Sequence, residues 1–320
     1  MIRLSAPAGE LMLQTPRLDL TFGGAEANVA VSLARLGHEA RFATVLPDNA
    51  LGDAAITELR RHGVDTNLCA LADGRMGLYF VTLGAGPRAS EVLYDRADSA
   101  FARAPEKIDW RTALDGADWL HVSGVTPALN KACADAALAG MRAARAAGAK
   151  VSFDANFRAK LWEARGDDPR PTLDALFGEA DLIFAASRDI ALVAEQKPAN
   201  EQEAARIAFA RYPKLRRVSA TARKVLSAEA HELSGMMFTR SGATSTRAHA
   251  VTGVVDRIGG GDAFAAGVLH GLASGMGEQE MLDFAVAAAA LKHTVRGDFN
   301  LARVADVEFY LSNSGSDVRR

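Results

Sequence analysis

The residues with the clearest chemical potential are Asp256-Arg257-Ile258-Gly259-Gly260-Gly261-Asp262-Ala263-Phe264-Ala265-Ala266-Gly267. Three glycines run into an aspartate where an apolar helix of small side chains begins. Glycine lets the backbone turn sharply and lets an anion reach the main chain with no Cβ in the way. The free N–H groups and positive dipole end of the following helix favour a phosphate there. A carboxylate beside a phosphate repels it. Asp262 is tolerable there if it takes a proton from the group that attacks the phosphorus. The same residues also fit a plain glycine turn with Asp262 as the helix cap, and the motif alone leaves both readings open. His121 and His293 are further acid–base candidates, but each is embedded in an apolar run and reads as a structural histidine with a satisfied ring.

Positioning such a motif requires a scaffold, and the chain alternates the two element types that build one. Helical patterns cover Asn28–Leu36, Asp53–His62, Lys131–Ala147, Pro171–Phe177, Ala263–Ala273 and Glu278–Thr294, the first two closed by Gly37 and Gly63. Short apolar runs at Arg41–Leu46, Trp119–Ser123, Lys150–Asp154, Asp181–Phe184, Arg216–Ala220 and Gly235–Thr239 read as strands. Tyr79–Leu83 and Glu91–Tyr94 flank the turn Gly84-Ala85-Gly86-Pro87 and read as a hairpin. The alternation predicts an α/β fold with a mainly parallel sheet and helices on both faces. Ligands bind such sheets beyond the carboxyl ends of the strands. Polar clusters fall there at Ser123-Gly124, Asp154–Arg158 and Ser219–Arg223. The polar tail Ser312–Arg320 is expected to fray.

Composition fits a globular enzyme: 320 residues, 49% hydrophobic and 24% charged. A formal net charge of −2 gives no electrostatic reason to expect nucleic acid or a membrane surface. No apolar run approaches the ~20 residues of a transmembrane helix, and the start MIRLSAPAGELM has no long apolar signal core. Cys69 and Cys133 are too few for a disulfide framework or a zinc site, and are expected as free thiols in a reducing cytoplasm.

Gly23-Gly24-Ala25-Glu26-Ala27-Asn28-Val29-Ala30, followed by LARLG, resembles the N-terminal signature of the ribokinase-like (PfkB) sugar kinases, and Gly259–Asp262 is similar to their anion-hole and catalytic-base signature. Within that family, Gly77–Ala102, FDANFRAKLW (Phe153–Trp162), VVDRIGGGDAFAAG (Val254–Gly267) and LKHTVRGDFN (Leu291–Asn300) resemble the 2-keto-3-deoxygluconate kinases. The resemblance spans nearly the whole chain in order. It implies one ribokinase-like domain over residues 1–320: a three-layer αβα fold with a mainly parallel central sheet and a small β-lid, its strands within about residues 10–22 and 77–95.

The resemblance also implies roles. Asp262 is expected to be the general base toward a primary hydroxyl attacking the γ-phosphate of ATP, with the N–H groups of Gly259, Gly260 and Gly261 as the anion hole. Arg96 and Arg158 are expected to read a substrate carboxylate in bidentate fashion, Arg158 also reaching a phosphate. Tyr79 and Tyr94 on the lid, Gly24, Asn28 and Asp298 complete the expected sugar site; Asn28 also fits a helix N-cap. Asn156, Arg158, Ser219, Thr221 and Arg223, with Gly259 and Gly261, are expected on the nucleotide side, although hydroxyl and arginine residues after a strand also fit turn chemistry. No cluster has metal-ligand spacing, so Mg2+ is expected to arrive with ATP.

Two departures from the family pattern stand out. Family members carry a further strand ending in Gly-Glu ahead of the Met-x-Arg-Leu sequence, which here opens the chain as Met1-Ile2-Arg3-Leu4. The expectation is that the first family strand is missing, through a misplaced start or in an impaired protein, which would leave its neighbours' edges unpaired. Second, Ala186-Ser187-Arg188-Asp189 stands where many relatives carry Asn-x-x-Glu or Asn-x-x-Asp. Asp189 can keep the acidic role, and Ala186 cannot replace the amide. The expected activity is ATP-dependent phosphorylation of 2-keto-3-deoxygluconate at its terminal C6 hydroxyl. Alternatives are a kinase for fructose, tagatose or 2-ketogluconate, or a weakly active sugar-acid binding protein. The expected partners are a small sugar acid and ATP, within a homo-oligomer.

Overall fold

The computed structural model describes residues 1–312, and the rest of the polar tail lies outside the described residues. The central sheet has the strand order Ala243–Ser245, Ala230–Thr239, Arg217–Ser227, Leu182–Phe184, Lys150–Asp154, Trp119–Ser123, with His249–Thr252 also on Ala230–Thr239. From Trp119–Ser123 to Arg217–Ser227 the pairing is parallel; beyond, it is antiparallel. The parallel strands read as near-continuous apolar runs because both of their faces are covered. Leu182-Ile183-Phe184 shows how. Ile183 packs with Phe153, Phe177 and Met141 on one face, while Leu182 and Phe184 pack with Phe264, Val268 and Val286 on the other.

Two glycines bring the helices of that second face together. A Cβ at Gly267 would stand 2.6 Å from Ala285 Cα, and one at Gly271 would run into Met281. The helix Gly260–Ala273 therefore lies against Glu278–Lys292 at a distance only glycine permits.

A second sheet of four strands has the order Asp19–Phe22, Ile2–Ser5, Leu78–Thr82, Glu91–Asp95. Alternation sends Arg3, Thr21, Tyr79 and Tyr94, which are cross-strand neighbours, to one face. Leu4, Leu20, Phe80 and Leu93 form the matching row on the other. A third, two-stranded parallel sheet joins Thr44–Pro47 to Cys69–Ala72. It is not hydrogen-bonded to Trp119–Ser123, where the central sheet ends. Residues of Thr44–Pro47 and Trp119–Ser123 instead face a shared cavity.

Three local expectations change. The strand expected to stop at Ala220 runs on to Ser227, because no glycine or proline interrupts it and Ala230–Thr239 pairs with it as far as Ser227. Ser219, Thr221 and Arg223 therefore sit in a strand and not in a turn. The helix expected from Asn28 begins at Ala25, since Gly24 with φ of 146° reverses the chain, so Asn28 is not the N-cap. Likewise Gly259, at φ 82°, caps the helix Gly260–Ala273, and Asp262 makes no side-chain capping bond. Both cysteines are free thiols. Among the described residues no helix is long and apolar enough to cross a membrane.

Candidate active site

A cavity of about 1230 Å³ lies between the four-stranded sheet and the carboxyl ends of the central strands. Every site residue named from the sequence lines it: Gly24, Asn28, Tyr79, Tyr94, Arg96, Asn156, Arg158, Ser219, Thr221, Arg223, Gly259, Gly260, Gly261, Asp262 and Asp298.

Asp262 sits in the first turn of its helix, with its Oδ2 accepting a 2.7 Å hydrogen bond from Asn28 Nδ2. Asn28 Oδ1 in turn accepts from Gly24 N at 3.3 Å. The Asn28 amide thus orients the Asp262 carboxylate. Burial pushes the Asp262 carboxyl up to about 7, the Asn28 bond opposes the shift, and Asp298 and Glu26 add to it. Asp154 is also pushed up to about 7, by burial and then by Asp262 itself.

The three glycines differ in what surrounds them. A side chain on Gly259 would collide with the Asp298 carbonyl oxygen, and one on Gly260 would stand 2.6 Å from His293 Cε1. Gly261 has no neighbour within 4 Å of that position, so the space beside its main chain is open. His293 Nδ1 lies 2.6 Å from the Ala289 carbonyl oxygen, but its buried Nε2 has no partner, so its ring is only half satisfied. His121 Nδ1 lies 2.8 Å from Ser152 Oγ, a structural contact inside the sheet.

On the opposite wall, Tyr79 is buried and its hydroxyl donates a short hydrogen bond to Asp298 Oδ2. Its ring stacks on Tyr94 at 5.9 Å between centroids, and the Arg96 guanidinium lies 4.3 Å from the Tyr94 ring centre. Arg96 is 8% exposed, its Nε has no partner, and among the described residues no carboxylate pairs with it. Burial lowers its pKa and Arg158 nearby lowers it further, while Tyr94 and, at longer range, Glu26 oppose the shift. A buried guanidinium beside a second cation, with no acidic neighbour in contact, is a site short of an anion.

On the far side, Asn156 donates from Nδ2 to Ser123 Oγ at 3.1 Å, with its backbone at the positive φ of 33°. The Ser219 hydroxyl is fully buried and donates to the Met236 carbonyl, whereas Thr221 and Arg223 are exposed to the cavity. Asp189 Oδ2 accepts from Ala186 N at 2.9 Å and so holds the start of the helix Ser187–Ala194. Among the described residues no group of three or more His, Cys, Asp or Glu could hold a metal ion.

Sequence reasoning passed over several contributors. Gly23 is required because a Cβ there would strike the Asp298 carboxylate and stand 2.8 Å from the Tyr79 hydroxyl. Glu26 accepts from Ser123 N and the Thr126 hydroxyl at the cavity edge. Arg3, Asp256 and Lys292 are buried behind the glycine run. The double glycine at 23–24 is the available signal for the first, and Asp256 opens the glycine motif itself; Arg3 and Lys292 carry none.

A sheet covered by helices on both faces, a smaller sheet over its carboxyl edge, and a buried carboxylate at a glycine-rich helix start define the architecture of a sugar kinase. Residues 1–302 match the pfkB family carbohydrate kinases, and the chain belongs to that family. It is 34% identical to a 2-dehydro-3-deoxygalactonokinase of Haloferax volcanii over 321 aligned residues, covering 100% of this chain and 96% of the relative. The structure of a 2-dehydro-3-deoxygluconokinase from Thermotoga maritima superposes with a TM-score of 0.91 at 38% identity, over 98% of this chain and 97% of that one. A fructokinase from Xylella fastidiosa solved with bound ATP superposes with a TM-score of 0.80 at 25% identity, over 98% and 95%. The fold is ribokinase-like.

Proposed function

We propose that the protein is an ATP-dependent kinase that phosphorylates 2-keto-3-deoxygluconate at its terminal C6 hydroxyl. The observation that carries this reading is that Arg96, buried and without an ion-pair partner, and Arg158, whose charge acts on both Arg96 and Asp262, line one cavity with Asp262 and the open face of Gly261. An acidic sugar bound by the guanidiniums presents its far hydroxyl to the carboxylate. Asp262 takes the hydroxyl proton as the oxygen attacks the γ-phosphorus, and the N–H groups of Gly259–Gly261 stabilise the charge on the transferring group. Tyr79, Tyr94, Gly24, Asn28 and Asp298 shape the sugar pocket, while Asn156, Arg158, Thr221 and Arg223 face the nucleotide; Ser219 supports that wall through Met236.

The ATP-bound fructokinase supports ATP as the donor. The phosphates fit a wall whose cations, Arg158 and Arg223, have no ion-pair partner among the described residues. Mg2+ arriving with ATP would supply neutralising charge, and Asp154 and Asp189, both raised by burial, are carboxylates lining the same cavity that would face it.

Arg96→Ala is the discriminating test. It is expected to lower kcat/KM for the sugar acid by roughly 1.5–3 kcal/mol, about 10- to 100-fold, and to spare fructose and tagatose. Equal losses for charged and neutral sugars rule out carboxylate reading. Running 2-keto-3-deoxygalactonate and 2-ketogluconate in the same assay ranks the acids, and binding of the acid without ATP turnover identifies a binding protein instead. A cytoplasmic location belongs to the same reading.

The homo-oligomer belongs to the proposal as well. Its support is the outer row of the four-stranded sheet, where Leu20 and Leu93 are 52% and 65% exposed beside Leu4 and Phe80. Light scattering after size exclusion is expected to give a multiple of 33.8 kDa, reduced by Leu93→Lys; a monomer at micromolar concentration removes this part.

A further inference from the structure

Behind the glycine run lies a cluster of four charged residues, of which only Asp298 has so far been given a role, at the sugar pocket. Arg3, Lys292, Asp256 and Asp298 are 0%, 0%, 1% and 4% exposed, two of each sign. Arg3 is the centre. Its Nε donates to Ser5 Oγ at 2.8 Å, one terminal nitrogen donates to Asp298 Oδ1 at 2.9 Å, and the other stands 2.7 Å from Asp256 Oδ2. Burial opposes the Arg3 charge, and Asp256 and Asp298 more than offset it.

The Asp256 carboxylate fixes backbone near the anion hole. Asp256 accepts from Ile258 N and from Gly297 N, both at 3.1 Å. Lys292 Nζ holds the carbonyls of Asp256 and Val295 at 3.2 and 3.1 Å. Asp298 accepts the Tyr79 hydroxyl, and its own carbonyl oxygen lies where a side chain on Gly259 would go. Of the four charges only Arg3 comes from the sheet that carries Tyr79 and Tyr94. One planar guanidinium thus joins the sugar-facing sheet to both loops that shape Gly259–Gly261.

We infer that Arg3 is a positioning residue that sets the geometry of the anion hole and makes it depend on the placement of the sugar-facing sheet. The inference rests on the kinase reading above. A lysine ammonium gathers its donors on one nitrogen and cannot span the Ser5, Asp298 and Asp256 oxygens that the guanidinium meets with three separate nitrogens.

Arg3→Lys is therefore expected to fold, to keep the KM for ATP, and to lose kcat on the order of 10²-fold, the effect of a small misplacement at a reacting centre. The loss falls equally on acidic and neutral sugars, unlike that of Arg96→Ala. The kcat is expressed per folded molecule, counted by near-ultraviolet circular dichroism. Where Arg3→Lys does not fold, the double variant Arg3→Gln with Asp256→Asn removes one charge of each sign and carries the same expectation. An unchanged kcat in a folded variant overturns the inference. Asp262→Asn assayed alongside separates the two readings: a loss there with unchanged Arg3→Lys turnover removes only the role of Arg3.

Discussion

Asp262→Asn is expected to lower kcat by a factor on the order of 10²–10⁴, the usual worth of a general base, with little change in substrate affinity. The substitution keeps the size of the side chain and its place in the first helical turn. It removes only the ability to accept the hydroxyl proton. Near-normal turnover in the variant would show that Asp262 is not the base. The same carboxyl predicts a pH profile. Asp262 and Asp154 are each raised to about 7 and interact, so the pair titrates in macroscopic steps. Since the base must be ionised, kcat/KM rises with pH along an acid limb centred near about 7, and Asp262→Asn flattens that limb. The stability consequence has the opposite sign. A carboxyl raised in the fold binds its proton more tightly there than in the unfolded chain. Stability from this pair is present at acidic pH and is lost as the pH climbs from the ordinary 3.8 to about 7.

An extension of about eight strand-forming residues ahead of Met1, Val/Ile-rich and ending in Gly-Glu, is expected to raise the melting temperature by about 4–8 °C, from a net gain of ~2 kcal/mol. Specific activity is expected to rise with it. The reason is the space between Thr44–Pro47 and Trp119–Ser123. Both strands present backbone edges to the cavity there, and Val45, Leu46, Leu120 and Val122 line it. One strand parallel to both would pair those edges and remove apolar surface from water. Its carboxyl end would meet Met1, which lines the same cavity and whose amino group donates to Gly23 O at 2.9 Å. That amino group is pushed down to about 6 by burial, and a peptide bond there would dispense with the buried charge. The two forms, melted and assayed side by side, decide the matter. An extended form that is neither more stable nor more active shows that the two sheets are content apart.

Much of this arrangement was legible because it is local. The glycine run, the following helix and Asp262 are contiguous, and the hairpin around Gly84–Pro87 announces itself by its turn residues. The strands buried on both faces show as short apolar runs. What stayed hidden depends on long-range pairing. Arg3 and Asp298 are 295 residues apart in sequence, and nothing near Arg3 distinguishes it from a surface arginine until Ile2–Ser5 is placed beside Leu78–Thr82. Asn28 was visible as a polar residue at a helix start, but its partner, Asp262, lies 234 residues on. The Ser219–Arg223 segment reads as a loop because beyond Ser219 the strand has lost its parallel neighbour and is paired only with Ala230–Thr239, so its polar residues show no buried pattern.

The contrast between the two ends of the cavity bears on how this chain can change over generations. In the strand Glu91–Asp95 every residue is exposed, so new side chains can enter there at little cost to folding. The helix that carries Asp262 lies so close to its neighbour that Gly267 and Gly271 do not admit even a methyl group. On the kinase reading proposed above, variation is therefore cheap in the strand that faces the sugar and costly in the helix that carries the proposed base. A lineage built this way can wander among sugars while its chemistry stands still.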